Sequence, residues 1–268
     1  MKKISLFAVL MLITVLGAGT ASFAACTATT LSAGNGTWGI ESYGYDLGSS
    51  QLDNILMQVT FASGGTFTGS EWQSLGGSLS SYPSISGTWS MTSPASDCQG
   101  TMTVTAGGPS TQPFNFAINN TNKGGTLTQT NTGFTMAGFM VAQGTVTCSN
   151  LTFKSKQFSL YSYGWITGLG NTIGSGNVSA TGEIKFAATG ITFNAVPTVT
   201  LDLGGLGNFT VPGNGTSSIG SNCQGSGTLA VPSLGQSFSV DTVIVDGGKE
   251  ALWIVTNAGD NVSGYFLE

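Results

Sequence analysis

The chain has 268 residues, 41 of them Gly, with 12 Asp and Glu, 7 Lys, no Arg and no His, for a net charge of −5. Without His, a Ser-His-Asp or Cys-His hydrolase and any imidazole-based metal site or proton shuttle are excluded. Without Arg, bidentate clamping of phosphate is unavailable, and the negative charge disfavours nucleic acid as a partner.

In chain order, Lys2 and Lys3 precede an apolar stretch over residues 4–15, and Thr20, Ala21, Ser22 and Ala24 supply small residues for cleavage. This pattern predicts a signal peptide over residues 1–24 and an exported protein, periplasmic, cell-surface or extracellular. The apolar stretch ends at Gly17 and is shorter than the roughly 20 residues of a membrane span, so no transmembrane helix is expected in the mature chain. Lipidation at Cys26 is a rival that depends on Phe23 replacing the usual aliphatic residue.

The remainder reads as a tandem duplication. Ser42-Tyr43-Gly44 recurs as Ser162-Tyr163-Gly164, Phe61-Ala62 as Phe186-Ala187, and Asp97-Cys98-Gln99-Gly100 as Asn222-Cys223-Gln224-Gly225. Gly87 to Met91 is matched with Gly207 to Val211, Gly124-Gly125 with Gly247-Gly248, and Gly138-Phe139 with Gly264-Tyr265. The order is collinear, which defines two domains, 25–147 and 148–268.

Each copy is β throughout. Thr and Ser are about a quarter of the chain, and Gly pairs punctuate it at the spacing of short strands. In the first copy, strands are predicted at 37–46, 54–62, 65–72, 86–92, 100–106, 113–119, 125–131 and 134–143. Ile55, Met57, Val59 and Phe61 alternate with Leu56, Gln58 and Thr60, the pattern of a half-buried strand. About eight strands joined by short turns predict an all-β protein of two tandem antiparallel meander barrels, since closure removes exposed edges. Two β-sandwiches are the alternative.

Four Cys fall at equivalent places, two per copy. In an exported chain they predict the disulfides Cys26–Cys98 and Cys148–Cys223, each joining the start of a copy to the turn before its fifth strand. A disulfide at Cys26 is incompatible with lipidation there. With no CxxC and no His, no metal site is expected, and no cofactor motif is present.

Gly36-Thr37-Trp38, the later Gly87-Thr88-Trp89-Ser90-Met91 leading into Asp97 to Val104, and the aromatic run over 245–256 resemble exported bacterial domains of unassigned function. Those domains are similar in size and strand pattern to eight-stranded barrels of the calycin and allene-oxide-cyclase type. The resemblance implies a barrel that shapes an apolar pocket, and for the cyclase type a carboxylate that steers charge. Glu41 is the candidate for that catalytic role, although its match in the second copy is Tyr161 and a strand Glu on the polar face is expected in solvent.

Trp38 and Ile40 share one face of the first strand, whereas Glu41, Tyr43 and Tyr45 share the other. Tyr161, Tyr163 and Trp165 repeat that second face. If the first face fills a core, the second presents an aromatic strip able to stack on a sugar or border a pocket. Asp46, Asp53 and Glu71 are the carboxylates near enough in sequence for glycosidase chemistry, but the second copy repeats none of them. The leading expectation is a non-enzymatic exported module that binds a small apolar ligand or a glycan. A cofactor-free isomerase or cyclase and an outer-membrane barrel are the alternatives.

Overall fold

The computed structural model describes residue 31 and residues 36–92, 98–119, 123–167, 176–203 and 207–268. The predicted signal peptide and Cys26 lie outside the described residues. The first eight strands are β1 (Thr37–Asp46), β2 (Gln51–Phe61), β3 (Thr66–Leu75), β4 (Ser78–Met91), β5 (Gln99–Ala106), β6 (Gln112–Ile118), β7 (Gly124–Gln129) and β8 (Ala137–Ala142). Each pairs antiparallel with the next, and β1 pairs with β8 from Trp38↔Ala142 to Tyr43↔Ala137, which closes the barrel. All eight predicted strands are present. The largest departure is β4, which starts eight residues before its predicted position. Pro83 disguises that extension: it lies where the β3–β4 register shifts, the irregular site at which a strand tolerates a missing N–H.

The second barrel comprises β9 (Gln157–Ile166), β10 (Gly176–Phe186), β11 (Thr192–Leu203), β12 (Gly207–Val211), β13 (Asn214–Ile219), β14 (Gln224–Val231), β15 (Gln236–Val245), β16 (Glu250–Val255) and β17 (Asn261–Leu267). Both β12 and β13 pair with β11, at Val199 to Leu203 and at Thr192 to Asn194 respectively. They form one edge interrupted at Pro212-Gly213, so the ring has eight positions, with β10 paired to both β9 and β11. Closure rules out the two-sandwich alternative.

Register gives the true correspondence between the copies. Phe67 faces Gly87 across β3 and β4, and Phe193 faces Gly215 across β11 and β13. In both cases a Cβ on the glycine would strike the Phe ring, at 2.5 Å and 2.2 Å. Gly87 therefore corresponds to Gly215 and not to Gly207, because the Pro212-Gly213 break displaces the edge. Gly125 likewise faces Met140 as Ala251 faces Phe266, so the sequence match of Gly124-Gly125 to Gly247-Gly248 is also out of register. The matches at Ser42, Phe61, Cys98 and Gly138 keep their register.

Each barrel fills its interior with alternate side chains. The first holds Trp38, Phe61, Phe67, Trp89 and Phe116, and the second Phe153, Phe158, Phe186, Phe193 and Trp253. The outward faces of β5 to β7 carry Thr101, Thr103, Asn115, Thr126 and Thr128. Apolar inside and polar outside is the reverse of a membrane-spanning barrel. Among the described residues no helix is long and apolar enough to cross a membrane.

Cys148 and Cys223 form a disulfide that ties the entry to β9 to the start of β14. Cys98 is also disulfide-bonded, and its predicted partner Cys26 lies outside the described residues. Cross-linking two points 75 residues apart restricts the unfolded chain strongly. Replacing Cys148 and Cys223 together by Ser is expected to lower stability by about 2–4 kcal/mol. Urea unfolding followed by fluorescence measures the loss, and an unchanged midpoint would refute it.

Candidate functional site

The outward face of β1 and β2 meets the second barrel rather than water. Leu56 packs with Val243, Val245, Leu252 and Ile254 in an apolar cluster of its own, bordered by Trp72, Phe139, Val141 and Tyr265. This explains why β2 is buried on both faces although its sequence alternates like a half-buried strand. Gly39 is required at this seam, since a Cβ there would lie 2.6 Å from Val245 Cγ1. Amides complete the contact: Gln58 Nε2 donates to the Asn222 carbonyl at 2.9 Å, and Gln224 Nε2 to Gln58 Oε1 at 2.8 Å.

Glu41 is at the centre of the seam with 0% exposure, which corrects the expectation of a solvent-facing strand residue. The outward face of β1 is polar by sequence and buried by the second barrel. Tyr163 Oη donates to both carboxylate oxygens at 2.6 and 2.7 Å, and Ser263 Oγ donates to Oε1. Burial pushes the Glu41 carboxyl up to about 7, against the opposing effect of the bonds from Ser263 and Tyr163. Burial and the adjacent Glu41 hold the Tyr163 phenol well above its ordinary range.

The aromatic strip divides. Tyr43 and Tyr163 meet edge to face at 5.1 Å inside the seam, while Tyr161 contacts Tyr163 and Tyr265 at its margin. Tyr45 and Trp165 instead line one groove of about 350 Å³ where the barrels part, together with Ser50, Gln51, Thr167 and Asn261. The groove has a stiff floor. Asn261 Nδ2 donates to the Leu52 and Ser74 carbonyls at 2.7 and 2.8 Å, and Gly259 N to the Gly77 carbonyl at 2.8 Å. A Cβ at Gly77, whose φ is +80°, would lie 2.4 Å from the Gly259 carbonyl carbon, so only glycine allows these backbones to touch. With Nδ2 engaged twice, Asn261 Oδ1 is left without a partner.

The lumens differ in chemistry. In the second barrel, Val178, Val199, Leu201, Phe238, Val255 and Trp253 surround an apolar cavity of about 40 Å³, and the buried Trp253 Nε1–H has no acceptor. In the first, Asp53 and Glu71 are both fully buried and point inward with the core residues of their strands. Gln73 Nε2 donates to Asp53 at 2.8 Å and Gln112 Nε2 to Glu71 at 2.9 Å. Burial raises the Asp53 carboxyl to about 6 and the Glu71 carboxyl to about 7. Asp46, the third carboxylate of the sequence reading, caps the β1–β2 turn through Gly48 and Ser49 in solvent, and from there its charge adds to the upward push on Asp53.

Asp53 and Glu71 were named in the sequence reading, but their burial in the lumen was not, although their phase could have shown it. Asp53 falls in step with Ile55, Met57 and Val59, and Glu71 with Phe67. Asn261 and Gln51 left no comparable signal, because only the packing of two barrels makes them neighbours. Among the described residues no group of three or more His, Cys, Asp or Glu could hold a metal ion.

No family model matches the chain, and no curated protein matches it. Among solved structures the chain is similar to kievitone hydratase from Nectria haematococca, with 8% identity, 93% of both chains covered and a TM-score of 0.32. It is also similar to transferrin-binding protein B from Neisseria meningitidis, with 12% identity over 85% of this chain and 65% of that one, at a TM-score of 0.33. A protein of unknown function from the DUF3598 family of Nostoc punctiforme gives 9% identity over 93% and 98% of the two chains, at 0.19. At these scores the likenesses carry no inference about activity.

The seam makes stability depend on pH with a definite sign. Between 4.5 and about 7 the folded chain retains a Glu41 proton that the unfolded chain has released. The stability from this group is therefore complete below 4.5 and is lost as pH rises through about 7. Urea midpoints measured from about pH 5 to about pH 8 are expected to fall, and Glu41→Gln to remove about 3 kcal/mol of that decline. Equal slopes for wild type and variant would contradict this assignment.

Proposed function

We propose that the protein is an exported binding module that takes a carbohydrate in the groove between its barrels. The observation that carries this reading is the convergence of Tyr45 from one copy and Trp165 from the other on a groove that they line together with Leu52, Gly76 and Gly259 and with the polar side chains of Ser50, Gln51 and Thr167. A pyranose presents a weakly positive C–H face that stacks on the negative face of an aromatic ring. Its hydroxyls need a few fixed polar partners, which Gln51, Ser50 and Thr167 would supply, while Asn261 holds the floor through its bonds to Leu52 and Ser74.

Size supports the groove over the apolar-ligand version. The cavity of about 40 Å³ in the second barrel holds only a few water-sized groups, whereas the groove of about 350 Å³ is the scale of a sugar ring. Nor does Glu41 favour a cyclase-type reaction, since its carboxyl is sealed by Tyr163 and Ser263 and neither the groove nor the second barrel's cavity is lined by it.

Titration of the full chain with short gluco-, manno- and chito-oligosaccharides, read by tryptophan fluorescence, tests the proposal. At least one series is expected to bind, and Trp165→Ala or Tyr45→Ala to weaken it by about 30-fold, the effect of losing a central aromatic anchor. Sugar binding indifferent to both substitutions, or no binding by any series, would overturn it.

A further inference from the structure

Register shows that the polar end of the first lumen and the apolar cavity of the second are the same place in two copies of one barrel. Gly44 faces Asp53 as Gly164 faces Val178, so Asp53 corresponds to Val178. Met57 faces Glu71 as Gly182 faces Val199, so Glu71 corresponds to Val199 and Gln73 to Leu201. Phe114 faces Gln129 as Val240 faces Val255, which relates Gln129 to Val255 and Gln112 to Phe238. The second-copy residues of every pair line the apolar cavity. An apolar filling is therefore compatible with this fold, and the first barrel replaces it with two carboxylates and three amides.

That replacement leaves bonding capacity unused. Asp53 Oδ1, Glu71 Oε2, Gln112 Oε1 and Gln129 Oε1 are buried without a partner, as is the Ser42 hydroxyl on the same wall. The bond from Gln112 Nε2 to Glu71 Oε1 fixes that amide, so the atom left over is its oxygen. The same bond runs from β6 to β3 and so spans the lumen, bringing opposite walls within reach of one another. Among the described residues the one ion pair joins Lys156 to Glu268 in the second barrel, so neither carboxylate has a side-chain cation. Two buried negative groups without a counter-charge are costly for a fold.

We propose that this end of the first lumen binds a divalent, oxygen-preferring cation of the calcium class, held by Asp53 and Glu71 with the amide oxygens of Gln112 and Gln129. Every unpartnered atom is oxygen, and two carboxylates balance a charge of +2. Calcium accepts 6–8 carboxylate, amide and water oxygens in irregular arrangements, whereas magnesium demands near-octahedral geometry. The Ser42 hydroxyl is placed to bond a coordinated water. Imidazole and thiolate ligands, which would favour zinc, are missing from the group.

Calorimetric titration of the chelator-treated full chain with calcium chloride tests this site, with magnesium chloride and putrescine as comparators. Calcium is expected to bind at about one per chain, with a dissociation constant of about 10⁻⁵ to 10⁻³ M. Glu71→Gln and Asp53→Asn should each weaken it at least about 10-fold, while Glu183→Gln, whose side chain bonds Gln157 on the exposed face of the second barrel, leaves it unchanged. The side-chain amide resonances of Gln112 and Gln129 should shift on calcium addition in the wild type, a readout that needs no variant to fold. No calcium binding up to about 10 mM, binding of putrescine instead, or shifts confined to surface residues would each overturn the proposal.

Discussion

The outward face of β1 and β2 is buried, and the arrangement of the whole molecule depends on that burial. A barrel wall normally satisfies one apolar and one solvated face; here Leu56, Gly39, Asn54, Gln58 and Glu41 meet a second barrel instead of water. A carboxylate at such a seam is tolerated only with donors in place, and Tyr163 and Ser263 supply them from β9 and β17. Both come from the opposite copy, so Glu41 acts as a specificity contact for one docking geometry. The groove is a consequence of that geometry, since Tyr45 and Trp165 belong to different barrels and face a common space only while the seam is closed.

The duplication kept a scaffold and let the interiors diverge. Glycines that admit an aromatic ring, such as Gly87 over Phe67 and Gly215 over Phe193, recur because a Cβ at either position would collide with the ring. The left-handed Cys98 and Cys223 recur at the same turn. At the lumen end, Gly44 and Gly164 are kept in both copies, facing Asp53 and Val178, but the side chains that fill the space are not. One copy there is acid and amide, the other aliphatic and aromatic, and the backbone pairing is the same in both.

Much of this was legible in the sequence because alternation and turn glycines act locally. The eight strands of the first copy follow from alternation and turn spacing, the closed meander from the need to remove exposed edges, and the Cys148–Cys223 disulfide from the equivalent places of the cysteines in the two copies. The out-of-register matches at Gly207 and Gly247 arose because a single break at Pro212-Gly213 and the uneven loops beyond it shift the offset without changing the motif. Glu41 was misplaced for a different reason. Alternation tells which side chains leave the core of their own barrel, and it carries no information about a neighbour that covers them. The same limit hid Asn261, Ser74 and Gln224, whose partners lie more than a hundred residues away. The aromatic strip was visible as a pattern, yet its division into seam and groove required the second barrel.

Whether the two barrels behave as one body is the point on which the seam, the Glu41 network and the groove all depend. Differential scanning calorimetry of the full chain near pH 5 addresses it directly. A seam that joins the barrels is expected to give a single transition whose van't Hoff and calorimetric enthalpies agree for the whole chain, splitting in two when Gly39→Val forces the faces apart. Two independent transitions in the wild type, unaltered by Gly39→Val, would contradict the account.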